Sequence, residues 1–584
     1  MPMTNPGGAS TAAIAALTDR VAVLQRALAT TTAIQPGLRV AYRAAVLTGN
    51  ANGQYPPYLK FSGSTIASMV VRNPVGSPGS VAIGPSSNGD ANGNTMNNSS
   101  NGAYSRGTAR QTIAAGEEYV ETGWPEVDFV WSADATPPAN LFVDVEIEYA
   151  APGTSRPSPK ANSKRALTTS TRKRTTIANT TDIASATPIF ALSKDGLTYF
   201  RADPANGLRL QASNDLTTNP SSPTWANLYT FPSSSSTVLA GLLELEDGEC
   251  LAFVNNIGFN SKVYRSSGWT ANRATSTWAQ VLAAGSGSGS KDFLDWYNAV
   301  PNMASGGVVI LTENGGQTSG GAGNATADEA NRAVHAYVSA DNGATWPYTF
   351  NLRDYAAAQG VANPAGVHMH GCGYYAPDDT GWLCYGDSNG DGKAIAGANN
   401  NQVLFCHGLK AALVAGQAPV WQKQVNFTHW QKSDGTAGQY LHAITSDRGV
   451  LFTPDLTKPN DTTLFLPRTG WRSYDVAVPI VGTGYGNGMV GSAPTLTRGR
   501  WFLPSAGSDA SATGTYPLSV MTSTDFTTWD QIIVPQTITA TGTGASIGIT
   551  RMFADAYGKA LVQFAATPAR MSGGNVRVGD LAYG

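Results

Sequence analysis

Apolar and polar positions alternate with a period of two at both ends of an early segment of the chain. Leu38, Val40, Tyr42, Ala44 and Val46 alternate with Arg39, Ala41, Arg43 and Ala45, and Leu141, Val143, Val145, Ile147 and Tyr149 alternate with Asp144, Glu146 and Glu148. This spacing predicts strands with one face buried and one wet. Ahead of them the period changes. Ile14, Leu17, Val21, Leu24 and Leu28 are spaced 3, 4, 3, 4, with Asp19, Arg20, Gln25 and Arg26 off the seam. The pattern predicts a helix over residues 10–32, closed by Pro36-Gly37. Such a seam suits either a short coiled-coil stalk, the preferred reading, or an amphipathic helix packed on its own domain. Its Ile/Val and Leu positions favour two strands over three.

From about residue 185 to the end, short apolar runs recur between turn residues. Only Leu352 to Gln359 reads as a helix. A long run of short strands with repeated turn signals predicts a propeller or a pair of sandwiches. Four regions follow: an N-terminal coiled-coil anchor over 1–36, a small β-sandwich-like domain over 37–150, a linker over 151–184, and the strand-rich remainder over 185–584. The linker sets Pro152, Pro157 and Pro159 among Ser and Thr. It holds Arg156, Lys160, Lys164, Arg165, Arg172, Lys173 and Arg174 without an acid up to Arg174. It reads as a solvated tether, or as a docking segment for an acidic neighbour.

Composition narrows the function classes. The chain has 584 residues, 13% charged, with a formal net charge of −2. That balance does not suggest a nucleic-acid partner. Gly 64 among many Thr, Asn and Ser fits turns and short strands. Cys250, Cys372, Cys384 and Cys406 form no framework and read as buried thiols, although Cys372 and Cys384 could face each other across a hairpin. No basic-then-apolar leader opens the sequence and no run of about 18 apolar residues appears, so neither a secretory signal nor a membrane span is expected.

The sharpest motif is Ser339-Ala-Asp341-Asn-Gly343-Ala-Thr345-Trp346, which fits S-x-D-x-G-x-T-W. A short Asp can accept hydrogen bonds from its own hairpin, Gly can take positive φ, and Trp can pack sideways. Partial copies stand at Thr445-Ser-Asp447-Arg-Gly449, Ser193-Lys-Asp195-Gly196, Ser523-Thr-Asp525 with Trp529, and Ser213-Asn-Asp215 with Trp225. The repeat resembles the Asp-box of sialidase-like β-propellers. His368-Met-His370-Gly371 followed by Pro377-Asp378, Trp382 and Gly386-Asp387 is similar to a strand pair of related propellers. The resemblance covers residues 185–584. Grouping the strands gives about six blades, plus or minus one, and the last strands, near Val576 to Tyr583, could pair with the first to close the ring. The resemblance implies that Ser339, Asp341, Gly343, Trp346, Asp447, Gly449, Asp525 and Trp529 are structural.

Enzyme chemistry is not marked. A sialidase needs a cluster of arginines to clamp its anionic substrate, and where the first is expected stands Thr187-Pro-Ile189-Phe190. Arg265, Arg332, Arg472 and Arg551 carry no triad signature. Glycoside cleavage would need paired carboxylates, for which Asp292, Asp295, Glu313, Asp387 and Asp391 are the candidates. Asp387-Ser-Asn389-Gly-Asp391-Gly392 matches half a calcium loop, but the twelfth position is Ala398. Ca2+ held partly by backbone oxygens through Asp387, Asn389 and Asp391, or a plain Asx-rich turn, both fit. His368 and His370 fall on one strand face and read as channel-facing, metal-holding or packed. Trp296, Tyr297, Trp382, Trp430 and Trp471 could stack on sugars or pack within blades.

The order of stalk, small β domain, linker and large β head resembles the minor tail or fibre proteins of bacteriophages of high-GC hosts. That resemblance implies a virion protein made in the host cytoplasm, often a homotrimer. Its N-terminal region would be fixed to other virion proteins and its head would bind a host surface glycan. A phage-borne polysaccharide hydrolase or lyase, and a head fibre without a receptor, are the alternatives.

Overall fold

The computed structural model describes residues 39–583 apart from connecting segments, the longest being 88–104, 284–303, 314–333, 387–402, 424–439 and 479–494. The N-terminal heptad seam lies outside the described residues.

The two alternating runs become neighbouring strands. Arg39–Ala45 pairs antiparallel with Phe142–Tyr149 in the register Tyr42↔Val145. Val143, Val145 and Ile147 are buried on one face. On the other, Arg43 bonds Asp144, and Arg72 reaches Glu118 at 2.8 Å and Glu146 at 2.6 Å. Ile66–Asn73, Glu117–Thr122 and Ala161–Ala166 complete this sheet. A second sheet, of Tyr58–Lys60, Phe129–Ser132, Val81–Gly84 and Gln111–Ile113, shares its core through Ile83, Ile113 and Val130. The small domain is thus a two-sheet sandwich.

Among the described residues seven antiparallel blades follow, at the upper limit of the expected count: six have four strands, and the last carries a fifth, short strand, Ala506–Asp509, beside its first. Blade 1 runs from Ile189–Leu192 to Ala226–Thr230, blade 2 from Thr237–Glu244 to Thr277–Ala283, and blade 3 from Ala304–Ser305 to Tyr348–Asn351. Blade 4 runs from His368–Tyr375 to Gln422–Lys423, blade 5 from Tyr440–Thr445 to Val476–Val478, and blade 6 from Thr495–Thr497 to Thr528–Ala540. Blade 7 takes three strands from the C-terminus, Ser546–Ala554, Lys559–Ala565 and Asn575–Ala582. Its outermost strand, Thr176–Ile183, comes from ahead of blade 1.

Shared cores join each blade to the next. Phe200, Leu210 and Phe253's neighbour Ala252 belong to one cluster across blades 1 and 2. Leu251, Ile310 and Leu383 span blades 2, 3 and 4, and Trp382 with Phe452 spans 4 and 5. Ile444 and Trp501 span 5 and 6, Val520 and Met552 span 6 and 7, and Tyr199 with Phe553 spans 7 and 1. Ala556 N–H also donates to the Gly196 carbonyl across the last seam at 2.9 Å. The ring is therefore closed by packing as well as by pairing. The helix expected near Leu352 is present as Leu352–Ala358, with Asn351 Oδ1 accepting from Arg353 N–H at 3.0 Å.

Two parts of the segment read as a linker are sheet. Ala161–Ala166 is the edge strand of the sandwich, where Lys164 pairs with Glu117 at 2.7 Å and Arg165 with Glu118. Its basic side chains answer acids on the next strand, a long-range partner that local composition does not reveal. Thr176–Ile183 closes blade 7, with Ile177 and Ile183 in the core. Gly579 makes the close approach possible, because a Cβ there would stand 2.5 Å from Ile177 Cγ2 and 2.9 Å from the Ala178 carbonyl.

The sandwich and the ring share one sheet. Arg39–Ala45 pairs in parallel with the outer strand of blade 6, in the register Ala41↔Thr528, Tyr42↔Trp529 and Arg43↔Asp530. The result is a continuous nine-stranded sheet.

Candidate functional site

In an antiparallel blade the first-to-second and third-to-fourth strand connections lie at one end, and the second-to-third connection at the other. The Asp boxes belong to the first end. In blade 3, Ser339 ends the third strand and its hydroxyl donates to Asp341 Oδ1 at 2.7 Å. The Ser339 hydroxyl oxygen accepts from Gly343 N–H at 2.9 Å, while Asp341 accepts from Thr345 N–H at 2.9 Å and Thr345 Oγ1 at 2.6 Å. Gly343 has φ +73°, and its missing side chain leaves room for Leu251 of blade 2 and for Trp346. Blade 6 repeats the turn: Asp525 accepts from Thr527 N–H at 2.8 Å and Thr528 N–H at 2.7 Å. In blade 1, Asp215 accepts from Thr224 N–H at 2.9 Å and from the Ser213 hydroxyl at 2.8 Å.

The other two sequence copies occupy a different hairpin. Asp195 and Asp447 lie between the first and second strands of blades 1 and 5. Ser193 and Asp195 still form a bonded turn, but the Asp447 side chain is 74% exposed and Gly449 opens a strand. Spacing alone cannot separate the two hairpins, because both present a polar turn after an apolar strand.

Blades 2 and 4 brace the same end with carboxylates borrowed from the first hairpin, which sequence reading missed. Glu249 accepts from Gly268 N–H at 2.9 Å and Trp269 N–H at 3.2 Å. Asp379, at φ 48°, accepts from Lys410 N–H at 2.6 Å and Ala411 N–H at 3.0 Å, capping the short helix Leu409–Val414. The Pro377-Asp378 signature two residues upstream marks the hairpin but not this role.

Burial works to raise the Asp341 carboxyl, but the bonds from Thr345 and Ser339 outweigh it and hold the group below the usual carboxylate range. A depressed folded-state pKa gives stability that is present above the unfolded value of about 3.9 and is lost as the pH falls through the folded value. Asp341→Ala is expected to lower unfolding free energy by about 1–2 kcal/mol at pH 7. In denaturant titrations the gap to the parent should shrink below pH 4, and a constant gap would assign the loss to packing alone.

The remaining predicted site residues separate clearly. Trp382 is fully buried between Phe405 and Phe452, at ring distances of 5.7 Å and 5.5 Å, so its face cannot meet a sugar. His370 is buried at 3% exposure, and the His368 side chain lies outside the described residues. Trp296, Tyr297, Trp430 and Trp471, and the half calcium loop Asp387, Asn389 and Asp391, also lie outside them. Among the described residues no group of three or more His, Cys, Asp or Glu could hold a metal ion. All four cysteines are buried and none forms a disulfide, with Cys384 opposite Gly371, one place from Cys372.

One candidate carboxylate does gather polar partners. Glu313, fully buried, follows the second strand of blade 3, Val308–Thr312. It accepts from Tyr337 Oη at 2.7 Å and His335 N–H at 3.1 Å, and His335 Nδ1 lies 2.8 Å away. His335 opens the third strand, at the end of the blade opposite the Asp box, and its side chain is 19% exposed. The sequence reading named Glu313 but neither partner. They stand 22 and 24 residues away, and only the strand register brings them together.

No protein-family model matches this chain, and no curated protein does. Among solved structures it is similar to YCF48 from Cyanidioschyzon merolae, at 12% identity and TM-score 0.32, covering 69% of this chain and 99% of that one. It is also similar to a protein of unknown function from Dyadobacter fermentans, at 14% identity and TM-score 0.31, covering 70% and 96%. The WD40 domain of SCAP from fission yeast gives 10% identity and TM-score 0.31, covering 69% and 98%. The class of protein, a closed seven-bladed β-propeller carrying an edge-docked β-sandwich, rests on the sheets and cores of this chain itself.

Proposed function

We propose that this chain is a virion attachment protein of the bacteriophage tail or fibre kind, whose propeller head binds a host cell-surface glycan. The observation that carries the reading is the joint between sandwich and ring. Domains joined by a tether move relative to one another by default, unless their interface is extensive and apolar. Here the joint is a shared sheet, and Val40, Tyr42 and Val143 of the sandwich belong to one buried cluster with Trp501, Phe526 and Trp529 of blade 6. A head held in this way keeps a fixed attitude to whatever anchors the N-terminal region. The sandwich pairs at Thr528–Asp530, next to the Asp-box end of blade 6, so the opposite end of the ring is the one farther from the sandwich. A ring end held away from the anchored region suits attachment to a surface.

The test mixes the full chain with purified cell-wall polysaccharide of a high-GC bacterium, following both bound protein and released reducing ends. Saturable binding without release is the expected result. Release of reducing ends would replace the reading by a glycoside hydrolase or lyase. Neither binding nor release would favour a structural decoration protein.

A further inference from the structure

We infer that His335, oriented by the buried carboxylate of Glu313, is a hydrogen-bond acceptor for a saccharide hydroxyl at the end of blade 3 opposite its Asp box. The inference rests on the glycan-binding reading and names a site for it. Glu313 and His335 extend the ladder between the second and third strands of blade 3, Glu313 N–H donating to the His335 carbonyl at 2.8 Å. The same ladder pairs Leu311 with Tyr337. Side chains two apart share a face, so Leu311, Glu313, His335 and Tyr337 line one side of the blade. Ile310 points the other way, since a Cβ added at Gly381 of blade 4 would stand 3.3 Å from its Cδ1. The four side chains therefore face blade 2.

For a neutral His335 ring, hydrogen-bond direction then fixes the tautomer. An ionised carboxylate only accepts. Glu313 takes the Tyr337 hydroxyl on Oε1, and on Oε2 both the backbone N–H and the ring nitrogen of His335. In the neutral ring the proton sits on Nδ1 and Nε2 keeps its lone pair. Glu313 is fully enclosed while the His335 side chain keeps 19% of its surface. With Nδ1 engaged by Glu313, Nε2 is the ring nitrogen left for a ligand. An acceptor of this kind takes a hydroxyl donor and disfavours an anion, which points to a neutral or hydroxyl-rich saccharide. A buried carboxylate costs several kcal/mol to desolvate, and an apolar pair at a strand end is often at least as stable. Orientation of His335 gives that carboxylate a use.

Two measurements on the full chain test this. Nitrogen-15 NMR of histidine-labelled protein at neutral pH, with His335 assigned by loss of its signals in His335→Ala, is expected to show the Nδ1–H tautomer. The Nε2 resonance should move when the cell-wall polysaccharide is added. His335→Ala is expected to weaken polysaccharide binding about tenfold, the scale of one or two lost hydrogen bonds, and Glu313→Gln is expected to weaken it while disturbing the tautomer. An Nε2–H tautomer, a ring protonated on both nitrogens, or unchanged affinity in His335→Ala beside a parent that binds would overturn the assignment and leave the attachment reading standing. Absence of binding by the parent would overturn both. Should His335→Ala fail to fold, His335→Gln, closer to it in size, supplies the assignment and the affinity comparison.

Discussion

Trp529→Ala is expected to destabilise the whole chain by about 3–5 kcal/mol, the scale of truncating a buried aromatic, and to loosen the sandwich from the ring. Trp529 is fully buried and stacks on Phe526 at 6.0 Å and 9°. Its Nε1–H donates to the Phe526 carbonyl at 2.9 Å. It also opposes Tyr42 in the parallel register that joins the two domains. An Asp-box tryptophan in an ordinary blade packs only on its own ring. This one belongs to the buried cluster that contains the sandwich core, so its loss opens a cavity on both sides of the joint. Denaturant unfolding followed by tryptophan fluorescence, with limited proteolysis between the domains, would measure it. A single transition displaced to lower denaturant, or two separated transitions, would agree with a shared core. A loss below about 1 kcal/mol would mean that the sandwich and blade 6 touch without sharing their stability.

The second large effect concerns closure. A chain beginning at residue 170 retains the strand Thr176–Ile183, whereas one beginning at residue 185 does not. Both lack the sandwich, so their difference reports the closing strand together with the bond from Thr175 to Asp530. Ile177 and Ile183 are 7% and 6% exposed, and burying such a side chain contributes about 1.5–3 kcal/mol. Without them, Asn575–Ala582 becomes an open edge, a template for association between chains. The shorter chain is expected to melt at lower temperature and to aggregate on gel filtration, while the longer one stays monodisperse. Gly579→Ala in the full chain should act in the same direction by about 1–3 kcal/mol, since the added methyl meets backbone as well as a side chain. Equal melting of the two truncated chains would mean that packing between blades 7 and 1, through Tyr199 and Phe553, closes the ring unaided.

The asymmetry between these two seams bears on how the molecule is anchored. At blade 7 a single strand from ahead of the ring is absorbed into it. At blade 6 an entire domain is added to the outside. Between them runs only the segment 167–175, and Thr175 already bonds Asp530 of blade 6 through its hydroxyl at 3.0 Å. The approach to the ring is thus pinned on both sides of the stretch that composition alone describes as a tether.

Local pattern was sufficient wherever a structure depends on neighbours in sequence. The alternations at 39–45 and 142–149 had to be strands, because period-two burial has no other regular solution. Ser339-Ala-Asp341-Asn-Gly343 had to be a bonded turn, because its donors and acceptors lie within a few residues of one another. The repeated turns announced a propeller, and the run from Leu352 to Gln359 read as a helix. What lay beyond reach was every feature made by residues far apart. Whether Trp382 met solvent depended on Phe452 of the next blade. Whether Arg165 was a free charge depended on Glu118, and whether Asp447 sat in a box depended on which hairpin of its blade it occupied. The partners of Glu313 depended on strand register. Sequence by itself therefore determined the kind of element and the kind of fold, through periodicity and short-range hydrogen bonding. Only the tertiary structure decided the blade count, the closing strand, the shared sheet and the grouping around His335, because each of these is a pairing whose partner the chain supplies from tens to hundreds of residues away.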